Sequence, residues 1–243
     1  MAPHRPDPIL HLTGALSPKP YPGGISLPGA GGKFDTAGAV QIWRGNTFVA
    51  HVVRPSPSFD AILALQERVK RSAFARFFTF LPAPSFHMTI FQGFSPSSSA
   101  PVGWPGDVPR DVGAATKAFA ERLTDLRLPR FEARAVGLFC TNSLTMEGAS
   151  PADEAVLRGA RETLRDLTGF RPGDFDDYVF HLSMAYLTQW VTEATAREIV
   201  DFSAELEREF CASRPVIALE ECAFCTFESM HHFEPVHVIP WQD

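Results

Sequence analysis

The sequence predicts an α/β fold of the α+β type, in which two similar lobes face a central cleft. Segments typical of strands and of helices alternate along most of the chain, and each half contains a helix that leads toward one histidine-bearing strand. With 243 residues, of which 45% are hydrophobic, the chain can bury a large core. We therefore expect a bilobal, pseudo-symmetric arrangement of two antiparallel sheets with outer helices around the cleft.

The chain divides into an arm and one domain. Residues 1–40 are rich in Pro and Gly and show no sustained hydrophobic period, so they are predicted to form an extended arm. Residues 41–243 carry the alternating strand and helix patterns and are predicted to form a single bilobal domain.

The first half of that domain is predicted to begin with a strand at residues 47–53. Ser58 can cap the following helix, because a serine hydroxyl accepts a hydrogen bond from a backbone N–H of the first turn. A strand at residues 85–94 comes next, and residues 95–110, which are dense in Ser, Pro and Gly, are predicted to be a loop. A helix over residues 112–126 follows the loop.

The second half repeats this alternation. The pattern predicts strands at residues 131–139 and 178–187, helices at residues 151–168 and 192–210, and a last pair of strands within residues 215–239. The first of these helices has Pro in its first turn and Gly just past its end. Its predicted buried stripe consists of Leu157, Ala160, Leu164 and Leu167.

Composition narrows the classes of function. The net charge of -6 leaves no broad basic surface to neutralise the phosphates of a long nucleic acid. Four cysteines are too few for a disulfide scaffold, and no apolar run approaches the roughly 20 residues that span a bilayer. The N-terminus also lacks the pattern of a secretory signal. We expect a cytoplasmic, monomeric protein that contacts no membrane and binds a small nucleotide or a short RNA end.

Two segments share a pattern that indicates chemistry. Residues 86–91 and residues 180–185 align without a gap as aromatic, histidine, apolar, hydroxyl, apolar. Because side chains alternate between the two faces of a strand, the histidine and the hydroxyl of each segment should point the same way. These pairs are His87 with Thr89 and His181 with Ser183.

Such pairs suit phosphoryl chemistry. A hydroxyl can hold a non-bridging oxygen of a phosphate, while a nearby imidazole moves a proton to or from a bridging oxygen. Because histidines titrate near neutral pH, one imidazole can act as the base and the other, protonated, as the acid. The same short pattern occurs at His11-Leu12-Thr13, but this match lies in the arm without room upstream for a strand and a helix, so we expect no catalytic role for it.

The paired segments resemble the two-histidine (2H) phosphoesterase superfamily, whose signature is two copies of His-hydrophobic-Ser/Thr-hydrophobic. His87-Met88-Thr89-Ile90 and His181-Leu182-Ser183-Met184 match both copies at every position. The resemblance spans residues 47–239, and Gly45-Asn46-Thr47 before the first strand is similar to a poorly characterised branch of the superfamily. It implies a bilobal fold with the histidines across a water-filled cleft.

The resemblance also implies roles for the motif residues. His87 and His181 would be the catalytic acid and base, Thr89 and Ser183 would bind the phosphate, and no cofactor would take part. We therefore expect a metal-independent hydrolase of a cyclic nucleotide phosphate or of a 2′,3′-cyclic phosphate end on short RNA. Two alternatives stay open, a metal-dependent hydrolase and a binding module that holds nucleotides or RNA ends without turnover.

Aromatic residues near the motifs could read the substrate. Phe91 shares strand parity with His87, so it could project into the cleft and stack on a base. Tyr178 and Trp190 flank the second motif and could line the rim of the cleft. His51, on the first strand, is more typical of a structural histidine than of a third catalytic imidazole.

Two groups of metal-ligating residue types fit no metal site. Cys222 and Cys225 form a lone Cys-x-x-Cys in a predicted strand without a second pair nearby, so they are predicted to be packing thiols. The second group lies near the end of the chain, where a solvated hairpin is predicted. Adjacent residues of a strand point to opposite faces, so the neighbouring His231 and His232 cannot easily share one ion. The members of this second group are His231, His232, Glu234 and His237.

Overall fold

The computed structural model describes residues 5–96 and 101–242. Residues 1–4 of the predicted arm and residues 97–100 of the predicted loop lie outside the described residues. Helices and strands are interleaved along the described chain, so the predicted α+β class is confirmed. None of the described helices combines the length and the apolar composition needed to cross a membrane.

The helices and strands are numbered in chain order. The α-helices are α1 (Pro8–Thr13), α2 (Pro57–Lys70), α3 (Val112–Arg122), α4 (Pro151–Thr168) and α5 (Glu193–Phe210). The strands are β1 (Ile25–Ser26), β2 (Phe34–Asp35), β3 (Gly45–His51), β4 (Phe78–Phe80), β5 (His87–Gln92), β6 (Ala133–Phe139), β7 (Ser143–Gly148), β8 (His181–Ser183), β9 (Ala185–Leu187), β10 (Val216–Ile217), β11 (Cys222–Ser229) and β12 (His232–Ile239).

Eight of the strands form one antiparallel sheet. Their order is β10-β6-β7-β8-β5-β3-β11-β12, so the strands that carry the two motifs, β5 and β8, are neighbours at its centre. These two strands pair at one position, Met88 with Leu182. The two separate sheets expected from the sequence are therefore two four-stranded halves that this central pairing joins into a continuous sheet.

The N-cap of helix α2 lies two residues before the predicted one. Ser56 is the N-cap, since its hydroxyl accepts a hydrogen bond from the backbone N–H of Phe59 at 3.1 Å, and Pro57 fills the first helical position. Ser58, the predicted cap, instead accepts a hydrogen bond from the backbone N–H of Ala218 at 3.0 Å.

Helix α4 has the predicted bounds. Ser150 caps its start by accepting a hydrogen bond from the backbone N–H of Asp153, and Gly169 ends it in the left-handed region at φ 69°. Three members of the predicted stripe are buried, but Leu167 is 36% exposed, because it lies in the last turn at the edge of the buried face.

The predicted strand at residues 178–187 is broken into β8 and β9. The chain leaves the large sheet at Met184, where the backbone N–H groups of Met184 and Ala185 donate to the carbonyl of Asn142 at 2.8 and 3.1 Å. Strand β9 then pairs with β4 in a small separate sheet. Only the first part of the predicted strand therefore borders the central strands.

Strand β7 has no counterpart among the predicted strands. A tight turn joins it to β6, and in this turn Cys140 and Thr141 have positive φ values of 49° and 62°. Hairpin turns with positive φ favour Asn and Gly, so a Cys-Thr pair gives no turn signal in the sequence. Strand β7 pairs with β8 and so borders the second motif.

The arm is folded rather than extended. Asp7 caps α1 by accepting a hydrogen bond from the backbone N–H of Leu10 at 2.8 Å, and Gly14 ends the helix at φ 77°. Helix α1 packs on α5, and the indole of Trp190 donates to the carbonyl of Lys19 at 3.1 Å. Strands β1 and β2 then form a parallel pair ahead of β3.

The arm folds because its few apolar residues find places in the protein interior. Leu12 and Phe34 are fully buried, the first in a small cluster with residues of α5 and β9, the second in the main core. Ile25 is also buried in the main core. Such isolated anchors produce no periodic pattern, so the sequence does not indicate them. The folded arm brings two basic residues, Arg5 and Lys33, to the cleft.

Candidate active site

The two motifs meet at one cavity over the centre of the sheet. His87, Thr89, His181 and Ser183 all line this main cavity, whose volume is about 290 Å³. Met88, which lies between the first pair, is fully buried on the other face of β5. The alternation of side chains along the two strands therefore brings both predicted histidines and both predicted hydroxyls to one space.

Both histidines are held in the same way. Nδ1 of His87 lies 2.7 Å from the carbonyl oxygen of Ser85, and Nδ1 of His181 lies 2.8 Å from the carbonyl oxygen of Val179. Because a carbonyl oxygen only accepts hydrogen bonds, Nδ1 carries the proton in each ring and Nε2 is left as the acceptor. Each ring can thus exchange a proton through Nε2 while Nδ1 keeps its orientation.

The cross-strand neighbours of the histidines differ between the two halves. His51 pairs with His87, and their ring centroids are 6.0 Å apart. Thr145 pairs with His181. Paired residues on one face of a sheet have Cβ atoms roughly 5 Å apart, so His87 has an imidazole beside it and His181 has a hydroxyl. His51 itself does not line the main cavity.

Burial changes the acidity of both histidines. Desolvation lowers the pKa of His87 from 6.5 to about 3 and the pKa of His181 from 6.5 to about 4. The positive charge of Lys33 lowers both values further, whereas the hydrogen bond to a carbonyl raises each of them. The lowered pKa values favour the neutral form of both rings at neutral pH.

Two cations of the arm surround the histidines. Lys33 lines the main cavity, where its Nζ donates to the hydroxyl of Tyr186 at 3.3 Å and lies 5.7 Å from the ring centroid of Trp43. Arg5 lies near His181 and also lowers its pKa. Within the described part of the chain, neither cation forms an ion pair with a carboxylate. Asp174 also lines the main cavity, where it accepts a hydrogen bond from Nε2 of Gln92 at 2.7 Å. The two cations of the arm therefore outnumber this carboxylate around the histidines, although the chain has a net charge of -6.

Tyr178 lines the main cavity, as the sequence indicated for the second motif. Its hydroxyl donates to the carbonyl of Thr89 at 3.4 Å, and the guanidinium of Arg161 lies 4.1 Å from its ring centroid. Arg161 is 1% exposed and donates to the carbonyl of Ile90 at 2.8 Å. Burial raises the pKa of Tyr178 to about 12, so the phenol stays protonated. The stack therefore forms the part of the cavity wall next to Thr89.

Phe91 lies in the core rather than in the cavity. Its ring is fully buried and makes edge contacts with Phe170 and Phe175, at centroid distances of 6.1 and 6.2 Å. The expectation that Phe91 could stack on a substrate base is therefore wrong. Gln92 lines the cavity in its place.

A β-bulge causes this reversal. Thr89 pairs with Val49 and Phe91 pairs with Phe48, so two residue steps on β5 match one step on β3. The unmatched residue, Ile90, is fully buried. A bulge of one residue shifts the alternation of side chains, so residues beyond it point to the face opposite the one that strand parity predicts.

Phe91→Ala is expected to lower the free energy of unfolding by about 3–5 kcal/mol, because it removes a fully buried ring and leaves a cavity in the core. Urea denaturation of the variant and of the unsubstituted protein measures the difference. A variant of unchanged stability with a many-fold higher KM would contradict this placement, since that result is what loss of a stacking surface would produce.

Trp190 contacts the arm instead of the rim of the cavity. Its ring approaches Gly14 so closely that a Cβ at that position would lie 2.6 Å from the indole. Trp190 does not line the main cavity. Trp190 was predicted to border the cleft because it follows the second motif closely in the sequence. The strand breaks at Met184, however, and the chain leaves the large sheet before it reaches Trp190.

Several cavity residues have no signal in the sequence. Lys33 and Trp43 belong to the arm and its junction, Gln92 follows the bulge, and Tyr186 follows the break between β8 and β9. Phe233 packs its ring edge against His87 at a centroid distance of 4.3 Å. Each position depends on tertiary structure and not on a local pattern.

The Gly45-Asn46-Thr47 segment builds one wall of the main cavity. Asn46 is 1% exposed; its Nδ2 donates to Thr116 at 3.0 Å, and its Oδ1 accepts from the backbone N–H of Phe94 at 2.8 Å. A Cβ at Gly93 would lie 2.3 Å from Asn46, and one at Gly45 would lie 2.6 Å from Phe227. The two glycines therefore allow the close backbone approach that the Asn46 hydrogen bonds require.

The other metal-ligating residue types lie apart from this site. Nε2 of the exposed His232 lies 2.8 Å from a carboxylate oxygen of Glu234, and the thiols of Cys222 and Cys225 are buried and free. Across residues 5–96 and 101–242, no group of three or more His, Cys, Asp or Glu residues is arranged to hold a metal ion.

Comparisons with known proteins cover both the first motif and the whole fold. The family model named 2H-phosphodiest, described as a domain of unknown function (DUF1868), matches residues 33–142, which include the motif at His87. The crystal structure of the conserved protein of unknown function ATU0111 from Agrobacterium tumefaciens str. C58 is similar over 96% of this chain and 99% of its own, with a TM-score of 0.85 and 29% identity. No curated protein matches the chain.

Proposed function

We propose that the chain is a phosphodiester hydrolase that uses His87 and His181 as its acid and base, because the family model named 2H-phosphodiest matches residues 33–142, which include the motif at His87. The family match supports a phosphoesterase kind of function. The substrate and the mechanism proposed below rest on the geometry of the cavity.

The observation that carries the proposal is the matched presentation of the two imidazoles. Each motif histidine has its Nδ1 bound to the carbonyl two residues earlier, and each lines the same cavity with the hydroxyl residue two positions later. Catalysis by an acid and a base together uses two proton carriers, and fixing their orientation before the substrate binds lowers the cost of reorganisation. A purely structural histidine on one strand would not need a counterpart held in the same way on the neighbouring strand.

For a 2′,3′-cyclic phosphate the proposed reaction is a hydrolysis. The basic histidine takes a proton from water through Nε2 while the water oxygen bonds to phosphorus. The acidic histidine gives its proton to the ribose oxygen as the bond between that oxygen and phosphorus breaks. The product is a phosphomonoester, and exchange with solvent restores the protonation of both rings. Thr89 and Ser183 would hold the non-bridging oxygens.

The size and the lining of the main cavity support a small nucleotide as substrate. Its volume of about 290 Å³ is close to the lower end of the range of roughly 300–1,000 Å³ for small-molecule sites. Trp43, Tyr186 and Phe227 line it and offer ring faces for a base. Lys33 supplies a positive charge for the phosphate. We therefore propose a cyclic nucleotide phosphate or a 2′,3′-cyclic end of short RNA.

The experiment that tests the proposal is a turnover screen of 2′,3′-cyclic and 3′,5′-cyclic nucleotides and short oligonucleotide diesters. The unsubstituted protein is expected to hydrolyse at least one class, and the double variant His87→Ala, His181→Ala is expected to turn that class over about 100-fold more slowly or worse. Tight binding of these compounds without turnover would instead assign the chain to the non-catalytic binding modules.

Activity is expected to survive exhaustive treatment with EDTA followed by assay in metal-free buffer. The physical reason is that two imidazoles and two hydroxyls supply the proton transfer and the phosphate contacts that a metal-bound water would otherwise provide. Loss of activity on chelation, with recovery on addition of a single divalent ion, would overturn metal independence and favour a metal-dependent hydrolase.

A further inference from the structure

A second cavity adjoins the main one on the side of the second motif. Its volume is about 190 Å³, and it shares three lining residues with the main cavity: His181, Ser183 and Tyr186. Arg5 and His11 of the arm line its other side. A group bound in this space would therefore lie next to a phosphate held at the second motif.

The guanidinium of Arg5 is positioned by the strand beside the second motif. Its Nε donates to the hydroxyl of Thr145 and its Nη2 donates to the hydroxyl of Ser143, both at 3.3 Å. Thr145 pairs with His181, and Ser143 pairs with Ser183. Cross-strand partners have Cβ atoms roughly 5 Å apart. Arg5 is thus bound to the two direct cross-strand neighbours of His181 and Ser183.

Arg5 has charge and donors that the described residues leave unused. A guanidinium has five N–H donors, of which two have hydrogen-bond partners within the described chain. The group packs on the ring of Phe139 at 5.1 Å, and no described carboxylate forms an ion pair with it. Desolvation lowers the pKa of the Arg5 guanidinium, because the cation is partly buried away from water and no described anion compensates for the lost hydration.

A second polar group in the same wall also lacks a partner. Asn142 lines the second cavity, and its Oδ1 is buried without a hydrogen-bond partner among the described residues. An amide oxygen only accepts hydrogen bonds, so this atom calls for a donor group of a ligand or a water, whereas the phosphate itself would bind the donors of Arg5.

We propose that Arg5 and the second cavity form a subsite for a second phosphate of the substrate. The inference rests on the proposed function, since it places the reacting diester at His181 and Ser183. The substrate class is then a nucleotide that carries a cyclic phosphodiester and a separate phosphomonoester, as in a 2′,3′-cyclic nucleotide with a 5′-phosphate. The planar fork of arginine matches two oxygens of a phosphate, and this favours phosphate over a neutral group.

The test compares two substrates that differ by one phosphate. Both substrates are adenosine 2′,3′-cyclic phosphates, one with a 5′-phosphate and one without it. In the unsubstituted protein, kcat/KM for the 5′-phosphorylated substrate is expected to be about 10 times higher or more, and this quotient is the specificity ratio. Arg5→Met is expected to bring this ratio close to one, mainly through KM, and Arg5→Lys to leave an intermediate ratio.

The matched control is Arg130→Met, because Arg130 is exposed and lines neither cavity. A ratio near one in the unsubstituted protein, or a ratio unchanged in both Arg5 variants, overturns the subsite.

Equilibrium binding separates failure of the subsite from failure of the proposed function. Calorimetric titrations with adenosine 3′-phosphate and adenosine 3′,5′-bisphosphate need no turnover. The bisphosphate is expected to bind about tenfold tighter, and Arg5→Met is expected to remove the difference. If no compound of the turnover screen is hydrolysed but this difference is found, the subsite stands and the hydrolase proposal falls. Equal affinities in the unsubstituted protein overturn the subsite whatever the turnover.

Discussion

Replacing either His87 or His181 with alanine is expected to lower turnover by about 100-fold or more, because each substitution removes one of the two proton carriers. Groups that act as a unit show strongly non-additive effects, so the double variant should be about as inactive as the poorer single variant. Thr89→Ala and Ser183→Ala should lose less, since each removes one phosphate contact worth roughly 1–3 kcal/mol.

The measurement is kcat on the best substrate of the screen, with far-UV circular dichroism and thermal unfolding to show that each variant is folded. His87→Gln and His181→Gln serve as second variants, because glutamine keeps a side chain of similar reach without a titratable group. The matched control is His232→Ala, which removes an exposed histidine that lines no part of the main cavity. Near-normal kcat in either alanine variant would contradict the paired mechanism.

The specificity constant kcat/KM is expected to fall about tenfold per pH unit between about pH 5 and pH 8. Catalysis requires one of the two rings to be protonated, but burial lowers the pKa of His87 to about 3 and that of His181 to about 4. Because kcat/KM reports the free enzyme, it should follow the singly protonated fraction, which decreases tenfold with each unit above these pKa values. The total change over this range would be about 1,000-fold.

The profile of kcat should differ from that of kcat/KM. A bound phosphodiester places a negative charge beside the imidazoles, and this raises the pKa of the acidic histidine in the complex. The rate constant kcat should therefore stay constant to higher pH, and the difference should be found in KM. Calorimetric titration of a phosphate ligand at pH 7 in buffers of different ionisation enthalpy should detect uptake of a proton on binding.

Stability at each pH must be measured alongside the rates. The unfolded chain protonates its histidines below pH 6.5, whereas the folded chain keeps these two neutral to lower pH, so the fold loses stability as the pH falls below 6.5. Thermal unfolding separates that loss from catalysis. A bell-shaped kcat/KM with both limbs near pH 6.5, as ordinary histidines would give, contradicts the buried geometry, and so does a profile that is flat from pH 5 to 8.

The parts of the fold that local chemistry determines could be predicted from the sequence. Helix α4 has a capping serine, a proline in its first turn and a glycine after its end, so three independent signals mark the same bounds. The paired motif could be recognised because a histidine and a hydroxyl at a spacing of two residues share a face on any regular strand. Their common cavity follows from β5 and β8 being neighbours in the sheet.

The remaining parts depend on tertiary contacts. One unmatched residue on β5 places the side chain of Phe91 on the face opposite the one that regular alternation predicts. Strand β7 follows a turn with positive φ values at Cys140 and Thr141, two residue types that rarely form turns of this kind. Arg5 and Lys33 come from a segment without any periodic pattern, although they supply the positive charge of the site. The pKa values of the histidines also differ from the ordinary value because burial is a property of the folded chain.

The strand order also determines when each half of the sheet can form during synthesis on the ribosome. The half that holds His181 consists of β6, β7, β8 and β10, which all come from residues 133–217. The half that holds His87 combines β3 and β5 with β11 and β12, so its first strands wait for the C-terminal hairpin. A nascent chain that ends before β11 can therefore form one ordered half while β3 still has an unpaired edge, the kind of edge that chaperones shield and that promotes aggregation.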